Sequence, residues 1–396
     1  MKLAAAFGLV LAVQAAEGAE APWRRHVIDG SSSGADGARF ADTNGDGFLD
    51  VATGWEEGGV TRICLNPGPE RVRGLWPGAT IGSTPAVEDA VWADLDGDGT
   101  LEVVSSCEGS AQVLKVHWSA GRTSMLNSGT WRSQVVPASR GKMQWMFALP
   151  LQVDGTRGID IVAGGKGPGA QIGWFEAPSE PRNLEDWRWH PWHAAGWIMS
   201  IAAEDMNGDG RVDVVYSDRR GAASGVYWLE NPGAGAGIWQ RHAIGGLGRE
   251  VMFLDLADLD GDGLRDVVAA VKPRELMFFR RKTGGGLAWS EHIIRMPENT
   301  GGAKAVAVGD LNVDGKADLV FSCEGAADGK HGLMWLSFWE TPFEEEWQPH
   351  LLSGSDGVKH DLVTLLDLDA DGDLDVITCE ETKNLGVIWY ENPVRN

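Results

Sequence analysis

The chain has 396 residues, a net charge of −23 and an isoelectric point near 4.7. Nucleic acid is excluded as a partner class, because a phosphate binder needs a basic footprint. The four cysteines are too few to staple a chain of this size, so one bridge or buried free thiols are expected.

In chain order, Met1-Lys2, the apolar run Leu3–Val13 and the small residues after it read as a secretory signal peptide over 1–16, cleaved near Ala15 or Ala16. The run is too short to span a bilayer and no later stretch is long enough, so the mature protein is expected to be secreted or periplasmic. Residues 22–396 read as a single domain. They open with a strand of pattern W-x-x-H-x-[I/L], Trp23–Ile28, which recurs from Trp239, Trp289 and Trp347; Trp187…His190 is a variant, and Trp76 and Trp131 begin copies without the histidine.

Between these strands an acidic loop, D-x-[D/N]-x-D-G-x-x-[D/E], begins at Asp42, Asp94, Asp205, Asp258, Asp310 and Asp367, with a degraded copy at Gln152. The spacing of 52 to 58 residues marks a repeat architecture. An apolar strand precedes each loop, as in Ala305–Val308. A β-branched strand follows it, as in Asp213–Tyr216 and Asp266–Val268, and then an apolar strand such as Gly225–Glu230 or Gly386–Glu391. Four strands per repeat is one propeller blade. The fold class is all-β, a seven-bladed β-propeller. One closing strand precedes the first loop and the last repeat stops after its third strand, so the N-terminal strand is expected to complete the last blade.

The loops fit a hard cation. Oxygens at positions 1, 3 and 5 converge around a sharp turn at the position-6 glycine, and the acid at position 9 closes the shell. The expected calcium ligands are Asp42, Asn44, Asp46 and Asp50; Asp94, Asp96, Asp98 and Glu102; Asp205, Asn207, Asp209 and Asp213; Asp258, Asp260, Asp262 and Asp266; Asp310, Asn312, Asp314 and Asp318; and Asp367, Asp369, Asp371 and Asp375. Six bound Ca²⁺ would offset about half of the net charge. The third copy lacks acids at positions 1 and 5 and is expected to bind none. An EF-hand or dockerin loop closes at position 12 beside helices; here the acid falls at position 9 beside strands.

The loop with its strand flanks resembles the FG-GAP/VCBS repeat, the blade unit of integrin α-chain propellers. The resemblance extends distantly to propeller polysaccharide lyases and the propeller of aldos-2-ulose dehydratase. It implies structural calcium and a ligand site on the face opposite the loops.

Departures from the repeat mark that site. Fourteen places after loop position 1 stand Glu56, Glu108, Lys166, Arg219, Lys272, Glu324 and Glu381. Six places before it stand Asp36, Glu88, Met146, Met199, Met252, Lys304 and Asp361. The first offset is basic on blades 3 to 5 and acidic on blades 6, 7, 1 and 2; the second puts methionine on the same three basic blades and acids on blades 7, 1 and 2, so both divide the channel mouth alike. Lys166, Arg219 and Lys272 suit a carboxylate or developing enolate. The acidic arc (Glu56, Glu108, Glu324, Glu381, Asp361) suits a sugar's hydroxyls or a second divalent metal held with His360 and Asp361. Trp145 or Trp197 is expected to stack on a sugar face, with Arg249 nearby. Five histidines belong to the closing strands and His117 to a third strand. The remaining three, His193, His331 and His360, map to mouth turns and are the candidate acid–base groups. The expected activity is that of a lyase or dehydratase acting by β-elimination on an acidic or oxidised sugar; the alternative is a non-catalytic carbohydrate- or protein-binding propeller. No nucleophile motif is visible.

Overall fold

The β-branched and aromatic segments of each repeat are short and separated by Gly, Asp and Asn, which directs the chain into antiparallel hairpins. The computed structural model describes residues 21–156, 158–233 and 237–395. The expected signal peptide lies outside the described residues, as does Arg157 of the third loop. The described residues form seven four-stranded antiparallel sheets with a few short 3-10 turns between them. The first strands are Ala35–Ala41, Val87–Ala93, Gln144–Leu151, Ile198–Glu204, Val251–Ala257, Gly302–Gly309 and His360–Leu366. Each packs on the next around a central channel, and the last packs on the first. The ring closes as expected. Arg24–Asp29 adds to Gly386–Glu391 as the outer strand of blade 7, with Arg24 opposite Glu391 and His26 opposite Trp389.

Second strands such as Asp50–Trp55, Asp213–Asp218 and Asp375–Glu380 are buried at every residue, because neighbouring blades cover both faces. The closing-strand histidines do structural work. Four of the five stack on an aromatic residue opposite them in the third strand: His26 on Trp389 at 4.5 Å, His190 on Trp174 at 4.8 Å, His242 on Trp228 at 4.4 Å and His350 on Trp335 at 3.7 Å, while His292 is tilted against Phe278 at 5.7 Å. Three of them also bond a carboxylate two residues beyond that aromatic, His26 to Glu391 (2.6 Å), His190 to Glu176 (2.9 Å) and His242 to Glu230 (2.8 Å). His117 is buried between Ser105 and Ser133. The four cysteines are free and buried. No helix among the described residues is long and apolar enough to cross a membrane.

Candidate functional site

Every first strand opens with a break in register against its neighbour. The breaks fall between Asp36 and Arg39, Val87 and Asp89, Trp145 and Phe147, Ile198 and Ser200, Val251 and Leu254, Ala303 and Ala305, and His360 and Val363. The residue six places before the loop sits in or beside each bulge. A bulge adds an unpaired residue to one strand and re-aims its side chain. The effect is regular here. Asp36, Glu88, Met146, Met199 and Lys304 all reach the channel mouth. The residue one place earlier points into the blade: Ala35, Val87, Trp145, Ile198, Val251, Ala303 and His360 are all 0% exposed.

The mouth holds a cavity of about 210 Å³. Glu56, Glu108, Lys166, Arg219 and Glu324 of the first offset line it, Lys272 and Glu381 of that offset do not, and Trp197 lines it as well. Lys304, at the second offset, joins them with Lys359 and with Phe253, which neither offset reaches. Lys304 carried a signal, since it is the one base at the offset otherwise filled by acids and methionines. Lys359 stands eight places before its loop, the same offset as Trp197.

The two arcs do not face each other as bare fields. Lys166 bonds Glu88 at 3.2 Å and also contacts Glu108. Lys272 meets Glu324 at 2.6 Å, Arg219 meets Glu250 at 2.6 Å, Lys304 meets Asp361 at 3.3 Å, and Lys359 pairs with Glu381. The cations thus enter the cavity already partnered. Arg219 and Lys166 also lie over the Trp197 ring, 4.3 and 4.5 Å from its centre, and Arg220 lies 5.0 Å away. Burial pushes the Glu88 carboxyl up to about 7, with Glu108 adding to the rise and Lys166 opposing it. Burial and then Glu88 raise Glu56. Asp36 is pushed well above its ordinary range by burial and by the Asp361 charge. Burial works against ionised Asp361, but Lys304 holds it below the usual carboxylate range.

Five of the expected site residues stand away from this cavity. Trp145 is in the core, packed on Phe175 and Trp189 and donating to the Ser139 carbonyl at 3.0 Å, so it offers no stacking face. His193 lies in the outer strand Arg188–Ala194, bonded to the Trp239 carbonyl at 2.8 Å, at the blade rim. His331 is on the mouth face but bonds Asn299 at 2.9 Å and does not line the cavity. His360 is enclosed between Gly332, Gly357 and Glu380, and burial pushes its imidazole down to about 4. Arg249 is paired with Glu275 in the third strand of blade 5 and is likewise outside the cavity.

On the opposite face the position-6 glycines all take a left-handed φ, from 81° at Gly99 to 92° at Gly372, a conformation only glycine adopts freely. Oxygens of Asp258, Asp260 and Asp262, of Asp367, Asp369 and Asp371, and of Asp94, Asp96 and Glu102 lie within 4.8 Å of one another. Basic side chains reach several loops, among them Arg182 to Asp96 (2.5 Å), Arg73 to Asp369 (2.5 Å) and Arg280 to Asp262 (3.2 Å). The position-9 acid has a second task. Asp50 accepts from the Thr43 and Asn66 amides, Asp213 from those of Met206 and Asn231, and Asp375 from those of Leu368 and Asn392. The pattern persists in the degraded loop, where Asp160 accepts from Val153 (2.9 Å) and Ala177 (2.8 Å). The acid at position 9 therefore braces the loop against the third strand, whether or not the loop is built for a cation.

The FG-GAP-like repeat family matches residues 42–105, 205–269 and 258–321. No curated protein matches the chain. Among solved structures, BBS1N in complex with ARL6DN, soaked with mercury, is 11% identical with a TM-score of 0.52, covering 94% of this chain and 97% of that one. The same complex soaked with lead gives 11% identity, a TM-score of 0.52, and coverage of 94% and 96%. At that identity the likeness speaks for the fold alone. Each matched segment spans two acidic loops and the strands between them, and with the seven sheets this identifies the chain as a seven-bladed β-propeller carrying FG-GAP-like repeats.

Proposed function

We propose that the channel mouth binds a small polyhydroxylated ligand, a sugar or sugar acid, and that the propeller serves as a calcium-stabilised carbohydrate-binding domain. The observation that carries this reading is the cavity in which five carboxylates and four cations gather beside the partly exposed Trp197. Paired carboxylates and amines keep free lone pairs and N–H groups, which suits hydroxyls better than a lone anion. The apolar run Leu3–Val13 supports export, where calcium is abundant enough to fill weak oxygen-ligand loops. The test is calorimetric titration of the purified protein in calcium with neutral, acidic and amino sugars. At least one is expected to bind, and Glu88→Gln or Arg219→Ala is expected to weaken it by roughly tenfold or more, about 1.4 kcal/mol. Binding unchanged in both variants, or no binding across the panel, refutes a sugar site at the mouth.

One observation favours turnover as a second reading. With the histidines outside the cavity, Glu88 is the group poised near neutrality within it. An elimination enzyme would use Glu88 to take the proton from the carbon next to the sugar's carboxylate and Arg219 to hold the resulting enolate charge; the double bond forms as the β C–O bond breaks, and the departing oxygen takes a proton from solvent or from Glu88. Its rate would rise as pH passes about 7 and vanish in Glu88→Gln, read as ultraviolet absorbance of the new conjugated double bond. Absorbance that never appears with a bound acidic sugar leaves the binding reading alone.

A further inference from the structure

Three carboxylates meet where the ring closes. Asp36 lies in the first strand of blade 1, Asp361 in the first strand of blade 7, and Glu381 follows the second strand of blade 7. One oxygen from each lies within 4.8 Å of the other two. The residues are 6, 1 and 8% exposed. Two cations reach them, Lys304 at 3.3 Å from Asp361 Oδ2 and Lys359 on Glu381 Oε2. Asp361 Oδ1 and Glu381 Oε1, both buried, receive no hydrogen-bond donor from outside the three acids. Ionised together, the three acids would outnumber the two amines, so a proton or a further cation is needed among them. Buried carboxylate oxygens facing only other carboxylates are costly unless something positive joins them. Nothing here repeats the acidic loops, which lie on the other face. His360 is no part of the set, since it turns into the core beside Gly332 and Gly357 while Asp361 turns to the channel.

We propose that this seam is a divalent-cation site, with Asp36, Asp361 and Glu381 each giving an oxygen to a hard cation that displaces Lys304 from Asp361. An all-carboxylate set at this spacing selects an oxygen-seeking metal over zinc or copper. The site does not depend on the sugar reading, and its test needs no sugar. Crystals grown with Mn²⁺ are expected to show an anomalous peak between the three carboxylates in addition to any at the loops. Peaks confined to the loops, or no peak, overturn the proposal. In solution, equilibrium dialysis should count one Mn²⁺ fewer per chain for Asp361→Asn than for the unsubstituted protein. Lys304→Met removes the competing amine and keeps the volume, so the seam affinity should rise by roughly tenfold or more. That second variant decides the matter if Asp361→Asn fails to fold. Equal counts in a folded Asp361→Asn, or unchanged affinity in Lys304→Met, count against the site.

Discussion

His360 and Trp145 show what one residue of offset is worth. Both stand seven places before their loop, at a position that is 0% exposed in all seven blades. The other five occupants are Ala35, Val87, Ile198, Val251 and Ala303, an apolar series that was available in the sequence and marks a core position. Alternation along a strand then sends the next residue, Met146 or Asp361, toward the channel. The enclosed His360 has a measurable consequence. Its imidazole is held down to about 4 against an ordinary 6.5, so between those values the unfolded chain takes up a proton that the folded chain refuses. The contribution to stability is intact above about 6.5 and is lost as pH falls toward 4, a loss of roughly 3 kcal/mol for this one group. Chemical denaturation from pH 7 to 4 should show that decline, and His360→Leu should flatten it by about one proton's worth of slope relative to the parent. Identical slopes in the two proteins would mean that His360 is accessible to protons in the fold.

At the scale of the element, the hairpin loop does two jobs with different residues. Positions 1, 3 and 5 gather oxygens, while the position-9 acid ties the loop's position-2 amide to one just past the third strand. The sequence pattern merges the two, because both appear as Asp in one motif. They separate only in blade 3, where Gln152 and Thr156 replace the gathering acids and Asp160 remains. Asp160→Ala should leave two buried amides without acceptors and cost roughly 2–4 kcal/mol, two unmet hydrogen bonds' worth. The number of Ca²⁺ bound per chain should not change. Asp258→Ala is the converse, expected to remove one Ca²⁺ while leaving the Leu259–Asp266 brace in place. Calcium titration and denaturant melts on both variants check the separation, and a lost Ca²⁺ in Asp160→Ala would disprove it. The bulges are the part of the element that the sequence hides. Nothing in Glu88 or Met146 announces an unpaired residue, so the offsets placed the side chains at the mouth without showing why they point inward.

For the whole molecule, the fold was legible because the acidic loop recurs often enough to fix the phase of every strand, including the one supplied from the opposite end of the chain. What was not legible was pairing across the mouth. Two arcs of opposite charge read from offsets imply an anion-binding wall, yet Lys166 spans from blade 3 to Glu88 and Glu108 of blade 2, and Lys272 from blade 5 to Glu324 of blade 6. Distance decides which charges meet, and a linear sequence does not carry it. The closure makes its own prediction. Removing residues 21–29 should leave Gly386–Glu391 as an open strand edge, with faster amide exchange confined to blade 7 and concentration-dependent self-association on size-exclusion chromatography. Protection of blade 7 at the parent level would show that the outer strand is dispensable.

That clasp also sets an order of events. His26 and its partner Glu391 are 365 residues apart, so the strand Arg24–Asp29 is made long before the partner it pairs with and is among the last of the ring to find its place. Six blades can assemble as they appear, but the seventh waits, with one strand idle at the start of the chain until its mates are made. Loop closure over that span adds little to the free energy and much to the waiting time. During the interval the unclaimed segment Arg24–Asp29 and the growing ring are both vulnerable to the wrong neighbour, a second nascent copy above all. Yield should therefore depend on how sparsely nascent chains are crowded as well as on how stable the finished ring is.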